Sequence, residues 1–237
     1  MKIRGLIVLT GVIALTLGSC GQSSFKSANI KSKEDSLSYA FGIVNYNALK
    51  QDSLMLDPAI VAKAMIDGKE GKPLMTDDVA RKYIMLFINK REAIKAQQKA
   101  ESNKIMYKEY IEQNEAFLAK NKTKAGVTTT ASGLQYEVIK MGTGPKPTAQ
   151  NTVKVNYAGS LIDGTEFDSS AKGKGPVTFP VSGVIPGWTE ALQLMPVGSK
   201  FKLYLPASLA YGATGAGETI KPFSTLIFEV ELLEIVK

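Results

Sequence analysis

Hydrophobic positions along the chain follow helical spacing first and strand spacing afterwards. From Ser36, residues Leu37, Ala40, Phe41 and Val44 recur at i, i+3, i+4 and i+7, one apolar stripe of a helix. A second helix is predicted behind Asp57 as N-cap and Pro58 in the first turn, carrying Val61, Ala64 and Met65 inward and stopping at Gly68. Thr76 then caps a third, with Asp77 and Asp78 placed to complement its dipole. No Gly or Pro interrupts the chain from Thr76 to Lys122. Continuous to Leu118, that helix would be a rod of roughly 65 Å at about 1.5 Å per residue. Its first part is apolar (Val79, Tyr83, Ile84, Leu86, Phe87, Ile88), while "KAQQKAESNK" is polar on every side. A helix polar all round usually bridges domains through solvent, so this stretch reads as a connecting arm.

After Gly126 the period changes to two. Alternation runs through "TVKVNY" (Val153, Val155, Tyr157), "FKLYLP" (Phe201, Leu203, Leu205) and "TLIFEVELLEI" (Leu226, Phe228, Val230, Leu232). Gly/Pro/Asp turns such as "MGTGPKP" and "LIDGTEF" separate the strands, and one short helix from Trp188 to Leu194 interrupts them. Antiparallel strands wrapped on one helix make an α+β domain over 127–237. Ahead of it, residues 34–75 read as an all-α segment and 76–122 as the connecting helix. The α segment is too small to bury a broad run like "YIMLFI" by itself, so dimerisation through these helices is expected.

Two absences narrow the chemistry. The chain has no His, and Cys20 is its only cysteine. No Ser-His-Asp or Cys-His machinery, no zinc site of the Cys/His kind and no intrachain disulfide can be built from it. No metal or cofactor is expected. Cys20 instead ends a leader: Lys2 and Arg4 precede an apolar run from Leu6 to Leu17 that closes on Leu17-Gly18-Ser19-Cys20. The run is shorter than the roughly 20 residues of a permanent span. It has the layout of a secretory signal peptide over 1–19.

Leu-Gly-Ser-Cys also resembles a bacterial lipobox, which implies lipidation of Cys20 and a tether over 20–33. The chain after the cysteine, Gly21-Gln22, carries no acidic retention signal, so the outer membrane facing the periplasm is the expected location. The net charge of +7 lies outside the last domain: residues 21–130 hold 18 Lys/Arg against 13 Asp/Glu, and 131–237 hold nine of each. With no clustered basic patch and no interleaved aromatics, a nucleic-acid partner is not expected.

The only tryptophan, Trp188, sits at the mouth of the short helix behind Val184, Ile185, Pro186 and Gly187. A buried indole is core on general grounds. Asp168 beside Phe167, and Tyr211 in the Gly-rich "AYGATGAG", instead put polar atoms at the edge of an apolar cup, the usual build of a small-ligand site. Asp168 also has the reading of a turn-capping carboxylate in "EFDSS".

Five motifs in order then carry a resemblance: "SGLQYEVIKMGTG", "VKVNYAGSLIDGTEFDSS", "PVTFPVSGVIPGWTEALQLMPVGSK", "LYLPASLAYGATG" and "STLIFEVELLEI". Together they resemble the FKBP family of peptidyl-prolyl isomerases, and "LSYAFGIV" with "AFLAKNKTKAGVTTTASGLQY" is similar to the dimerising extension of Mip-type members. The resemblance implies a proline pocket floored by Trp188 and walled by Tyr157, Phe167, Val177, Val184, Tyr211 and Phe228, with Ile220 on an overhanging loop. It further implies that the Ile185 N–H and the Tyr211 phenol bond the bound segment, that Asp168 acts electrostatically, and that macrolides of the FK506/rapamycin type bind. Val177, Thr219 and Lys221 depart from the family's usual rim residues, which bears on substrate preference and macrolide affinity.

The implied activity is isomerisation of prolines in unfolded or nascent exported polypeptides. The rival reading is a dimeric holdase whose arms form a cleft for unfolded chains, with the isomerase domain as its proline-reading contact. "GTGP" and "GATGAG" lack the spacing of a nucleotide loop.

Overall fold

The computed structural model describes residues 29–236 apart from 53, 55 and 174. The expected signal peptide, the lipobox-like stretch and Cys20 therefore lie outside the described residues. The chain divides into two units, one ending at Ala80 and the other running from Arg81.

The first unit is helical. Helix α1 (Lys33–Gln51) starts four residues before Leu37, the first of the apolar stripe, because Ser32 and Asp35 form a capping box: Asp35 N–H donates to Ser32 Oγ (3.0 Å) and Ser32 N–H to Asp35 Oδ2 (2.9 Å). Helix α2 (Pro58–Lys69) is capped by Asp57, whose Oδ1 accepts from Ala59 N–H at 2.8 Å. Helix α3 (Asp77–Met106) opens with Val79 N–H on Thr76 Oγ1 (3.4 Å). None of the three has a buried residue. Val61 and Met65, expected to point inward, are exposed, as are Leu37 and Phe41 of the α1 stripe. A single copy of this short segment supplies no opposite layer to cover them.

The connecting helix is not continuous. At Tyr107 the backbone leaves helical geometry (φ −103°, ψ 21°), and α4 (Lys108–Asn121) begins after it. The hydrogen bonds Tyr107 N–H to Asn103 O (2.8 Å) and Ile111 N–H to Tyr107 O (2.9 Å) persist, so the irregularity is a local bend. α4 is not a free arm but docks on the domain that follows.

That domain holds β1 (Val127–Thr129), β2 (Gln135–Lys140), β3 (Thr152–Ser160), β4 (Glu166–Ser169), β5 (Val177–Pro180), α5 (Pro186–Leu194), β6 (Lys200–Leu205) and β7 (Leu226–Val236). The sheet is antiparallel throughout, in the order β1-β2-β6-β7-β3-β4, with β5 also pairing β3. Alternation decides which face is core. Val153 and Val155 of β3, Phe201, Leu203 and Leu205 of β6, and Leu226, Phe228, Val230 and Leu232 of β7 are buried against Trp188, Ala191 and Leu192 of α5. Each fully buried aliphatic or aromatic side chain contributes roughly 1.5–3 kcal/mol. Gly187 lets α5 approach β6: a Cβ there would lie 2.5 Å from Leu205 Cδ2.

α4 covers part of the opposite face of the sheet, around Tyr204 and Gln135. Tyr204, out of phase with Leu203 and Leu205, is buried beneath Phe117 (ring centroids 6.1 Å) and donates its phenol to Glu137. Gln135 binds the end of the helix twice, accepting from Asn121 Nδ2 (2.9 Å) and donating Nε2–H to Leu118 O (3.0 Å). Asn114 and Asn121 are buried polar residues on the helix expected to be a connecting arm. Among the described residues no helix is long and apolar enough to cross a membrane.

Candidate functional site

A cleft of about 500 Å³ opens between α5, the inner face of the sheet and the β6–β7 loop. Its lining is Tyr157, Asp168, Phe179, Gly183, Val184, Ile185, Trp188, Tyr211 and Phe228. Trp188 is its centre. Pro186 and Gly187 start α5 so that the indole, 4% exposed, meets three rings edge-on: Phe228 at 5.2 Å, Tyr157 at 5.3 Å and Phe179 at 5.9 Å, all within a few degrees of perpendicular. Edge-to-face contact is the favoured geometry of aromatic quadrupoles. The indole Nε1–H is buried without a hydrogen-bond partner among the described residues, ringed instead by aromatic edges and faces.

Polar atoms stand only at the rim. Tyr157, inward-facing on β3, donates its phenol to Asp168 Oδ2 of β4 at 2.7 Å. Burial first, then this hydrogen bond and the negative charge behind it, push the Tyr157 phenol up to about 12. The hydroxyl of Tyr211 makes no hydrogen bond among the described residues and its side chain is 41% exposed. The Ile185 N–H, just ahead of α5, likewise has no backbone acceptor among them, although the Ile185 carbonyl accepts from Trp188 N–H and Thr189 N–H. An apolar floor thus carries two unspent donors and one carboxylate at its edge. Among the described residues no cluster of acidic side chains could hold a metal.

The raised Tyr157 pKa makes a signed prediction. Its folded value exceeds the ordinary phenol value of about 10, so the stability it contributes is complete below pH 10 and is lost as pH climbs toward 12. The stability difference between the wild type and Tyr157→Phe, followed by denaturant midpoint, should hold steady up to pH 10 and shrink above it. A difference that instead shrinks below pH 9 would contradict the assignment.

Residues 143–233 match the model of the FKBP-type peptidyl-prolyl cis-trans isomerase, and residues 34–138 that of the domain amino terminal to it. The outer membrane protein MIP of Legionella longbeachae is 40% identical over 242 residues, spanning 100% of this chain and 99% of its own. The chain belongs to the FKBP family. The FKBP-type 22 kDa peptidyl-prolyl cis-trans isomerase of Escherichia coli is 44% identical over 205 residues, 85% of this chain and 95% of that protein. The crystal structure of FkpA from Escherichia coli aligns with a TM-score of 0.53 at 35% identity, covering 87% of this chain and 98% of that one. The protein is accordingly a peptidyl-prolyl cis-trans isomerase with an N-terminal helical domain.

Of the residues expected at an FKBP pocket, the cleft brings together Tyr157, Asp168, Val184, Ile185, Trp188, Tyr211 and Phe228. Phe167 stands behind this wall, edge-on to Phe228 at 5.5 Å. Ile220 is buried in the core margin and bridged to Ala216 rather than lining the cleft. Val177 is not a lining residue either: from β5 it pairs with Val155 of β3, and the wall expected there is formed by Phe179, two residues on and so on the same side of the strand. Phe179 and Gly183 are the positions that sequence reasoning missed. The signal for Phe179 was present, since "PVTF" places its only aromatic ring there.

Proposed function

We propose that the cleft seats the pyrrolidine ring of an unfolded or nascent exported polypeptide over Trp188 and lowers the barrier to rotation about the preceding amide. The observation that carries this reading is the indole held by three perpendicular rings, with polar groups at the rim of the cleft. Proline isomerisation needs no nucleophile, base or metal. Its barrier of about 18–20 kcal/mol is amide resonance. The twisted transition state separates less charge along C–N than the planar amide does, so a dry aromatic cup favours it over the ground state, and only such differential binding accelerates the step.

Tyr211 Oη–H and Ile185 N–H are the donors for the bound carbonyls. Asp168, already accepting from Tyr157, acts through its field and through the position it gives that ring; no proton is transferred. The same cup is the proposed seat for macrolides of the FK506/rapamycin type.

The test is cis/trans exchange of a short Leu-Pro peptide followed by NMR. Wild type should accelerate it, and Tyr211→Phe/Asp168→Ala should lower kcat/KM at least about tenfold, the equivalent of about 1.4 kcal/mol in the barrier. Undiminished acceleration by the double variant would place catalysis elsewhere.

The helical domain supports a second element, a homodimer formed through the N-terminal helices. Leu37 (72% exposed), Val44 (67%), Ile60 (67%) and Leu86 (69%) are apolar side chains with no cover in one copy. Sedimentation of the mature chain should give about twice the monomer mass; a monomer at micromolar concentration would contradict it. With lipid on Cys20, the dimer would be held at the outer membrane facing the periplasm, in reach of exported chains as they fold. A holding role for such chains draws on Ile105 and Met106, exposed at the Tyr107 bend.

A further inference from the structure

The β6–β7 loop, residues 206–225, carries Tyr211 at the cleft rim and Ile220 beneath it. Within itself the loop is tied at several points. Ala216 and Ile220 exchange two backbone bonds (2.8 and 3.1 Å), Gly212 N–H donates to Ala207 O (2.9 Å), and Phe223 N–H donates to Gly212 O (2.8 Å). Phe223 has φ +64°, a conformation that a residue other than glycine holds where its surroundings fix it.

Those surroundings belong to the connecting helices. Asn103 Nδ2–H donates to Ala213 O at 2.8 Å, two residues from Tyr211. The Tyr110 hydroxyl lies 3.0 Å from Ser224 Oγ, and Ser224 Oγ–H is directed at Lys221 O (2.8 Å), which leaves Tyr110 as the donor. The Lys221 ammonium sits 5.5 Å over the Tyr110 ring. Asn114, 2% exposed, accepts from Thr225 N–H at 2.8 Å and donates to Tyr110 O at 2.7 Å. Phe223 lines a small cleft with Ile111, Asn114 and Leu118 of α4. Asn103, Tyr110 and Asn114 fall at i, i+7 and i+11, one side of the helical path, and all three are spent on this loop.

We propose that Asn103, Tyr110 and Asn114 are positioning residues for Tyr211, so that the connecting helices hold the rim of the proline cleft in its working conformation. They touch no substrate and act through the loop backbone. The departure at Lys221 has its explanation here, since a proline at that position could not reach the Tyr110 ring. The inference rests on the reading of Tyr211 as a rim donor of the proline cleft.

The test uses the full chain and two backgrounds, wild type and Tyr211→Phe. Tyr110→Phe removes one hydroxyl and keeps the ring under Lys221; Asn103→Asp keeps the size and removes the donor; Asn103→Gln restores a donor. In the wild-type background, Tyr110→Phe/Asn103→Asp should lower kcat/KM for a Leu-Pro peptide about tenfold, mainly through KM, with the thermal midpoint unchanged. Asn103→Gln should stay within about twofold, and the pair should change kcat/KM by less than about twofold once Tyr211 is Phe. Amide hydrogen exchange at residues 212–217 should quicken in the pair variant. An equal loss in both backgrounds, no loss in the wild-type background, or unchanged exchange in the loop would each overturn the proposal. If Tyr211→Phe alone leaves kcat/KM intact, the reading of Tyr211 is itself at fault and the proposal falls with it. Activity that depends on Tyr211 but not on the helix variants overturns the proposal alone.

Discussion

Trp188→Ala is expected to lose about 3–5 kcal/mol of stability, the usual cost of emptying a buried aromatic site, and to slow proline isomerisation by about a hundredfold, equivalent to about 2.7 kcal/mol in the barrier. The two losses have separate origins. Stability falls because three perpendicular ring contacts, to Tyr157, Phe179 and Phe228, disappear together. Activity falls because the surface on which a pyrrolidine ring would rest is gone and water enters the cup. Trp188→Phe separates them: it keeps an apolar floor and should recover most of the activity relative to alanine while remaining less stable than wild type. Urea midpoints and peptide exchange rates measured on the same samples check both. A Trp188→Ala protein that is folded and fully active would remove Trp188 from the site.

Gly159→Ala should have the next largest effect, although it adds only a methyl group at a residue outside the cleft lining. Gly159 lies on β3 between Asp168 of β4 and Phe228 of β7. A Cβ there would stand 2.7 Å from Phe167 Cε2 and Cζ and 2.7 Å from Phe228 Cε1. Those contacts are far inside van der Waals separation, and both rings are packed against each other at 5.5 Å. Overpacking of this kind costs about 1–3 kcal/mol. Phe228 also lines the cleft and touches Trp188, so relief by displacement would narrow the cup. Isomerase activity should fall about tenfold, with the loss appearing in KM as well as kcat. Wild-type kinetics and an unchanged urea midpoint would mean that the rings have room to move.

Much of the second domain is readable in its alternation, because one buried face and one partly solvated face leave a period-two signature in Val153/Val155/Tyr157 and in Leu226/Phe228/Val230/Leu232. Trp188 and Asp168 are legible for a different reason: a lone indole at a helix start and a carboxylate beside Phe167 are unusual neighbours for simple core. Three features are not legible in the same way. The docking of α4 depends on Asn114, Asn121, Tyr110 and Phe117, and polar side chains buried by specific partners look solvated in any pattern of hydropathy. The break at Tyr107 has no Gly or Pro to announce it. Phe179 rather than Val177 walls the cleft because reach decides between two residues on one side of β5, and alternation treats them alike. In the first helical unit the helices form where the stripes predict them, but Leu37, Phe41, Val61 and Met65 are exposed, because a stripe does not reveal whether its cover comes from the same chain.

The most direct measurement exploits the single tryptophan. In a titration of the full chain with a Leu-Pro peptide, the indole Nε1–H resonance of Trp188, the only such signal the chain can give, is followed by NMR alongside the exchange rate of the peptide. The indole signal should shift in a saturable way, with the same midpoint as the acceleration of cis/trans exchange, and Tyr211→Phe/Asp168→Ala should weaken both together. Peptide isomerised at the wild-type rate while the Trp188 signal stays where it was would contradict this, because the proline would then be turning somewhere other than over this ring.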